Sequence, residues 1–258
     1  MNQKNNLLKN KKISILGDSI SSYTDFSNNT KYNSTIGNNS VYYNDYRPTR
    51  DPVHMSLSLE DTWWMQVINE LDLELCVNNS WSGSRIFDYD ESAGYSSRCE
   101  NLHNDHTGEQ PDIILIYMGT NDFSFLNVSE LGNSNINYDN INNIKIMTSC
   151  TCYAIMLDKI TKKYPNSKIY CMTLLPRLES ERQPTLFNND LKNIAKHYNC
   201  NIIDLEILGK KIQSNYQYYI EDNRVHPGKY GMDVISESVI QILKNNEWCP
   251  FFRTSLLL

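Results

Sequence analysis

No stretch of this 258-residue chain approaches the ~20 consecutive apolar residues of a membrane-spanning helix. Its opening, MNQKNNLLKNKK, has no apolar run long enough for a secretion signal, and strand-like sequence follows directly. A surplus of positive charge is also missing. With 24 Lys and Arg against 30 Asp and Glu, the formal charge is −6, which argues against a nucleic-acid partner because phosphate neutralisation needs clustered Lys and Arg. The local concentrations of lysine, at Lys4, Lys9, Lys11 and Lys12 and again at Lys159, Lys162 and Lys163, read as solvated surface. No Pro/Gly/Ser-rich linker and no internal repeat divides the chain, so a single domain over residues 1–258 is the economical reading. The seven cysteines are odd in number and scattered, several of them inside apolar runs where a thiol behaves as a small hydrophobe. A reduced, cytoplasmic setting is therefore expected.

What is present alternates in type. Lys12–Leu16, Leu73–Val77, Asp112–Met118, Lys168–Leu175 and Asn201–Leu205 are short and nearly continuously apolar, as strands covered on both faces are. Between and after them, apolar residues recur at steps of three and four over Asp61–Leu71, Ile144–Tyr164, Leu186–Tyr198 and Tyr230–Leu243, the spacing of amphipathic helices. Strand and helix in alternation predict an α/β fold, a three-layer sandwich around a flavodoxin-like five-stranded parallel sheet, with the site beyond the strands' carboxyl ends. Two segments stand outside that rhythm. Ser21–Leu59 is polar and carries Tyr23, Tyr32, Tyr42, Tyr43 and Tyr46; Ser84–Pro111 carries Arg85, Tyr95, Arg98, His103 and His106. Loops of this length are usually functional, so both are assigned to substrate binding, with surface decoration as the alternative.

Four short motifs carry the chemistry. Leu16-Gly17-Asp18-Ser19-Ile20 follows the first strand and places a hydroxyl at its carboxyl end, where a base could activate it. Asn79-Ser80-Trp81-Ser82-Gly83-Ser84-Arg85 follows the second, with a glycine that lets backbone approach a ligand. Tyr117-Met118-Gly119-Thr120-Asn121-Asp122 closes the third and offers the Asn121 amide as a neutral donor. Asp222-Asn223-Arg224-Val225-His226-Pro227 precedes the last helix and supplies a candidate base. Taken singly, each is equally a turn, a cap or a structural histidine.

Together and in this order, the four motifs resemble the SGNH/GDSL hydrolase family over Lys12 to about Leu243, and Asp61-Thr62-Trp63-Trp64, with the second and third motifs, resembles a bacterial subgroup of it. The resemblance implies a serine esterase. Ser19 is the expected nucleophile and His226 the expected general base. The backbone N–H groups of Ser19 and Gly83 and the side-chain amide of Asn121 are the expected oxyanion donors. Asp18, Trp81, Arg85 and Asp122, neighbours of these residues, are assigned to substrate binding. Neither a cofactor nor a metal is expected. The expected substrate is a small or carbohydrate-borne acyl ester such as an acetyl ester. The alternatives are a lysophospholipase or thioesterase activity and a catalytically silent glycan-binding protein.

One departure from the family pattern matters physically. The acid that usually stands three positions before the histidine is here Asn223, with Asp222 one residue further back. Asp222 reaching His226 is the favoured reading, and Asn223 orienting it without a charge is the rival. Two weaker metal candidates, His103 with His106 and Cys150 with Cys152, lack the spacing or the partner cluster of a zinc site.

Overall fold

The structure, a computed structural model, describes residues 7–22, 57–87, 93–104, 107–221 and 225–248. Five strands, β1 (Lys12–Gly17), β2 (Glu74–Ser80), β3 (Ile113–Tyr117), β4 (Lys168–Met172) and β5 (Asn201–Ile203), form one parallel sheet in the order β2-β1-β3-β4-β5. This is the flavodoxin-like order, and all five overlap the apolar runs of the sequence, although β2 runs on past Val77 to Ser80 and β4 ends at Met172 rather than Leu175. β5 stops short of the expected Leu205 because the Asp204 side chain accepts from the Glu206 backbone N–H and turns the chain into a 3₁₀ turn at Leu205–Leu208.

The α-helices among the described residues are α1 (Trp63–Leu71), α2 (Thr120–Phe125), α3 (Val128–Leu131), α4 (Ser149–Lys163), α5 (Thr185–His197), α6 (Gly209–Ser214), α7 (Tyr216–Tyr219) and α8 (Lys229–Trp248). α1 packs on α8 and α4 on α5, giving the two helical layers that flank the sheet. The α1–α8 contact is fixed by polar bonds as well: Gln66 Nε2 donates to Asp233 Oδ1 at 2.9 Å, and Ser236 Oγ donates to Gln66 Oε1 at 2.6 Å. α4 begins five residues later than its apolar pattern suggests because Thr148 caps it, its hydroxyl accepting from the Thr151 N–H at 3.2 Å. Trp63, Trp64, Val67 and Leu71 of α1 and Ala154, Met156, Leu157 and Ile160 of α4 are fully buried against the sheet's core. Full burial of the larger of these side chains is worth roughly 1.5–3 kcal/mol each.

The register matters most for function. Gly17 pairs with both Ser80 and Tyr117, so β1, β2 and β3 end level with one another. The three motifs that follow these strands are thereby delivered to one place. The segment from Ser84 to Pro111, expected over the site, instead packs inward where it is described. Ala93, Cys99 and Leu102 are fully buried, and Ser14 Oγ donates to the Leu102 carbonyl at 2.8 Å. Arg98, 2% exposed, donates through Nη2 to the carbonyls of Gly17 at 2.7 Å and Asn79 at 2.6 Å, tying β1 to β2 where their ladder ends. Of Ser21–Leu59, residues 23–56 lie outside the described residues. No helix among the described residues is long and apolar enough to cross a membrane.

Candidate active site

Ser19 sits in a tight turn built on the carbonyl of Asp18, which accepts from the N–H groups of Ser21 at 3.1 Å and Ser22 at 3.0 Å. The turn is pinned from two elements: Asn78 Nδ2 on β2 donates to the Ser21 carbonyl at 2.9 Å, and the Trp63 indole N–H on α1 reaches Ser21 Oγ at 3.3 Å. A glycine must precede it, since a Cβ on Gly17 would stand 2.6 Å from Ser21 Cβ and 2.9 Å from Ser80 Oγ. Ser19 Oγ lies 2.9 Å from Nε2 of His226, a residue 207 positions away in the chain. This is hydrogen-bond distance for proton transfer between a hydroxyl and an imidazole.

His226 is carried on an antiparallel bridge rather than on the sheet. Ile220 pairs with Pro227, the Glu221 N–H donates to the His226 carbonyl at 2.8 Å, and the Gly228 N–H donates to the Tyr219 carbonyl at 3.0 Å. Asp222 and Asn223, the two candidates for orienting the imidazole, lie outside the described residues.

The second and third motifs are joined to each other and to the serine turn. The Trp81 N–H donates to the Gly17 carbonyl at 3.2 Å, and Ser84 Oγ closes the next turn on the Trp81 carbonyl at 2.7 Å. Gly83, at φ +72°, occupies the exposed corner of that turn, a backbone conformation that favours glycine. Asn121 Nδ2 donates to the Ser84 carbonyl at 2.9 Å. A primary amide has a second N–H, so this bond positions the group without using it up. Asn121, Phe123, Arg177, Arg182, Val225 and His226 line one cleft of about 680 Å³.

Not every residue assigned to substrate binding faces that cleft. Asp122 is fully buried and already engaged: Oδ2 accepts from the Ile86 N–H at 2.8 Å, and Oδ1 accepts from the Phe87 N–H at 2.7 Å and from Ser149 Oγ at 2.8 Å. Its placement corrects the expectation of substrate contact, because the carboxylate is a clamp holding the Gly83 segment and the start of α4 to β3's end. Burial nonetheless raises its pKa above the usual carboxylate range. Asp18 is equally buried, behind Ser19, and is likewise withdrawn from the cleft. Its Oδ1 accepts from the Ile20 N–H at 3.1 Å, whereas Oδ2 meets no hydrogen-bond partner among the described residues. Burial pushes its pKa up to about 6, opposed by the Ile20 N–H and by the nearby His226 and Arg98. Trp81 and Arg85 remain half-buried, with the Arg98 guanidinium 5.0 Å from the Trp81 ring centroid.

Arg177 and Arg182 carried no motif and were not anticipated. They flank Phe123, their guanidinium carbons 5.7 and 4.1 Å from its ring centroid, and both donate to carbonyls of α2 or its end. The charged run that follows β4 was the available signal. His103 Nδ1 lies 3.1 Å from the Tyr164 hydroxyl, and His106 lies outside the described residues. Burial raises the thiol pKa of Cys152 to about 12 and that of Cys150 further, so both stay protonated. The described residues contain no group of three or more metal-ligating side chains.

The profile of the GDSL-like lipase/acylhydrolase family matches residues 11–243. Among solved structures, a protein described as a GDSL-like lipase from Bacteroides ovatus is 27% identical and superposes with a TM-score of 0.60, over 92% of this chain and 99% of that one. Its counterpart from Bacteroides uniformis is 25% identical at a TM-score of 0.63, over 92% and 96%. A carbohydrate esterase family 3 protein from Talaromyces cellulolyticus, 16% identical over 92% and 97% at a TM-score of 0.53, shares the fold alone. No curated protein sequence matches.

Proposed function

The chain belongs to the GDSL-like lipase/acylhydrolase family, whose business is ester hydrolysis, and on that premise we propose that it cleaves acyl esters through Ser19 as nucleophile and His226 as general base. The observation that carries the reading is the 2.9 Å approach of Ser19 Oγ to His226 Nε2. Ser19 Oγ attacks the acyl carbon as its proton passes to Nε2. The carbonyl oxygen becomes an oxyanion facing the N–H groups of Ser19 and Gly83 and the second N–H of the Asn121 amide. Collapse of this intermediate breaks the bond to the alcohol, which leaves with the proton from the imidazolium. A water then attacks the acyl-serine, giving its proton to His226, and the acid departs as Ser19 recovers its hydrogen. Asp222, next to the residue whose N–H bonds the His226 carbonyl, orients the imidazole.

The acyl group is small, and the alcohol is carbohydrate. The cleft's character supports this: it is broad, and Ser124, Asn127, Glu181 and Arg182 stand in it beside Phe123 and Phe125. Polar groups beside aromatic faces suit sugar hydroxyls and ring faces better than a long acyl chain. Trp81 and Arg85 border the donor loop and contact the substrate.

Labelling with a fluorophosphonate, followed by identification of the modified peptide, tests the nucleophile directly. Modification at Ser19, abolished in Ser19→Ala and accompanied by hydrolysis of p-nitrophenyl acetate in preference to long-chain esters, is the expected result. Absence of labelling and of hydrolysis would remove the serine mechanism. Separate Asp222→Asn and Asn223→Ala variants identify the orienting residue: a loss of turnover on the order of 10⁴-fold is expected from the first alone.

A further inference from the structure

The acid next to the nucleophile is a costly choice for its position. In the turn that presents Ser19, the Asp18 side chain makes one hydrogen bond among the described residues, from the Ile20 N–H to Oδ1 at 3.1 Å. An asparagine could accept that same bond without a charge. Oδ2 instead faces into packed protein, fully buried, with no hydrogen-bond partner among the described residues. Burying a carboxylate on a single bond is unfavourable, and groups left in that condition concentrate at functional sites.

The surroundings indicate what the charge does. Five charged or titratable groups lie near enough to interact electrostatically with Asp18: His226 on the bridge before α8, Arg98 in its buried turn, Asp122 on α2, Tyr117 on β3 and Arg177 in the connection after β4. Arg98 is held to the Gly17 carbonyl immediately before it. Asp122 is saturated by its three donors. Burial raises the pKa of the Tyr117 hydroxyl far above the ordinary value, so it stays neutral. Of these groups, His226 is the one whose charge changes when the serine proton moves.

We propose that Asp18 is a positioning residue of the reaction, a buried carboxylate whose charge favours the imidazolium form of His226 as Ser19 gives up its proton. This rests on the Ser19–His226 reading and adds a second acid, on the serine's side of the pair. Proton transfer creates a positive imidazolium within reach of Asp18. The attraction operates in a region closed to water, where charges interact more strongly than at the surface. Protonation of Asp18 cancels the effect, so the carboxyl adds its own proton to the acid loss of activity expected of any histidine base. Burial pushes the pKa of this carboxyl up to about 6.

The test compares pH profiles of kcat and kcat/KM for the wild type and Asp18→Asn, which keeps the Oδ1 acceptor and removes the charge. The wild-type acid limb of kcat/KM should be steeper than one proton. In Asp18→Asn it should flatten to one proton and move to lower pH, and the kcat plateau should drop about tenfold with KM unchanged. A merely structural role for Asp18 leaves the limb's slope and position alone. A second measurement needs no variant. The carboxyl infrared band of 13C-aspartate-labelled wild type should titrate near pH 6, and its titration should move to lower pH once Ser19 is phosphonylated and the imidazolium persists. Superimposable profiles, or a band unmoved by phosphonylation, overturn the proposal. If Ser19 is labelled while these readouts stay still, the inference about Asp18 alone falls. If the wild type is not labelled at Ser19, both readings fall.

Discussion

At the carboxyl end of β3, Asp122 gathers three donors from two other segments and faces no solvent; at the carboxyl end of β1, Asp18 is equally buried and receives one. Both acids follow a parallel strand and both have raised pKa values for the same reason, burial. Their difference lies in how completely the surrounding N–H and O–H groups compensate the loss of water. Asp122 resembles a rivet, its charge shared among bonds that hold the Gly83 segment and α4 in place. Asp18, beside the reacting pair, has a charge that its surroundings compensate less completely. In one active site, the same side chain in the same kind of place can fasten or can bias a reaction, and the donor count distinguishes the two.

The comparison can be broken most forcefully at Asp122. Asp122→Ala orphans the N–H groups of Ile86 and Phe87 and the hydroxyl of Ser149, and is expected to cost about 3–5 kcal/mol of stability in urea unfolding. Activity should fall with it, because Gly83 belongs to the freed segment. A variant of near wild-type stability would show that Asp122 is no clamp.

Asp18→Asn is expected to act in the opposite direction. A carboxyl whose folded pKa is about 6 rather than 3.8 favours its neutral form in the native state. Its contribution is therefore most favourable at low pH and is lost as pH rises from about 4 through 6. Removing the charge should stabilise the protein by up to about 3 kcal/mol at pH 8 and by almost nothing at pH 4, as read from denaturant midpoints at the two pH values. Equal effects at both pH values would contradict the assigned cost. The same substitution would thus gain stability while losing turnover, the trade expected where a strained group serves function.

Gly17→Ala probes the packing that separates the two acids' settings. Its Cβ would meet Ser21 and Ser80 at 2.6–2.9 Å, and a cost of about 1–3 kcal/mol in thermal or urea unfolding is expected. The finest adjustment is Ser149→Ala, which takes one donor from Asp122 and leaves two amides. Stability should fall by only about 1 kcal/mol, and the Asp122 carboxyl should become easier to protonate, a step toward Asp18's condition that carboxyl NMR can follow.

Much of this was legible beforehand, for definite reasons. The five strands were readable because burial on both faces leaves almost no polar residue in Ile13–Leu16 or Ile113–Tyr117. The helices α1, α4, α5 and α8 were readable because each keeps one apolar face over several turns. Short helices such as α3 were not, since four residues cannot show a period; its signature was instead the Asn127–Glu130 capping pair. The meeting of Ser19 with His226 was expected from the family resemblance that the four motifs carry together. The division between Asp18 and Asp122 did not, because both are acids just past a strand and only the three-dimensional direction of neighbouring N–H groups tells them apart. The Ser84–Pro111 segment was misjudged for a related reason. Its arginine and tyrosines suggest a surface, yet Arg98 is buried because backbone carbonyls, invisible to any reading of side-chain character, receive it.

That arginine also sets a rule for anyone who would exchange loops between relatives to alter substrate choice. The segment between β2 and β3 looks like a detachable cassette, joined to the sheet at its two ends. Through Arg98 it is also attached to the last carbonyl of β1, Gly17, and to the Asn79 carbonyl near the end of β2, beneath the serine turn. A graft that omits this residue leaves two strand ends without their shared donor and disturbs the scaffold it was meant to decorate. The exchangeable unit is the loop together with its anchor, and chimaeras designed on that boundary should fold where those cut between residues 81 and 98 do not.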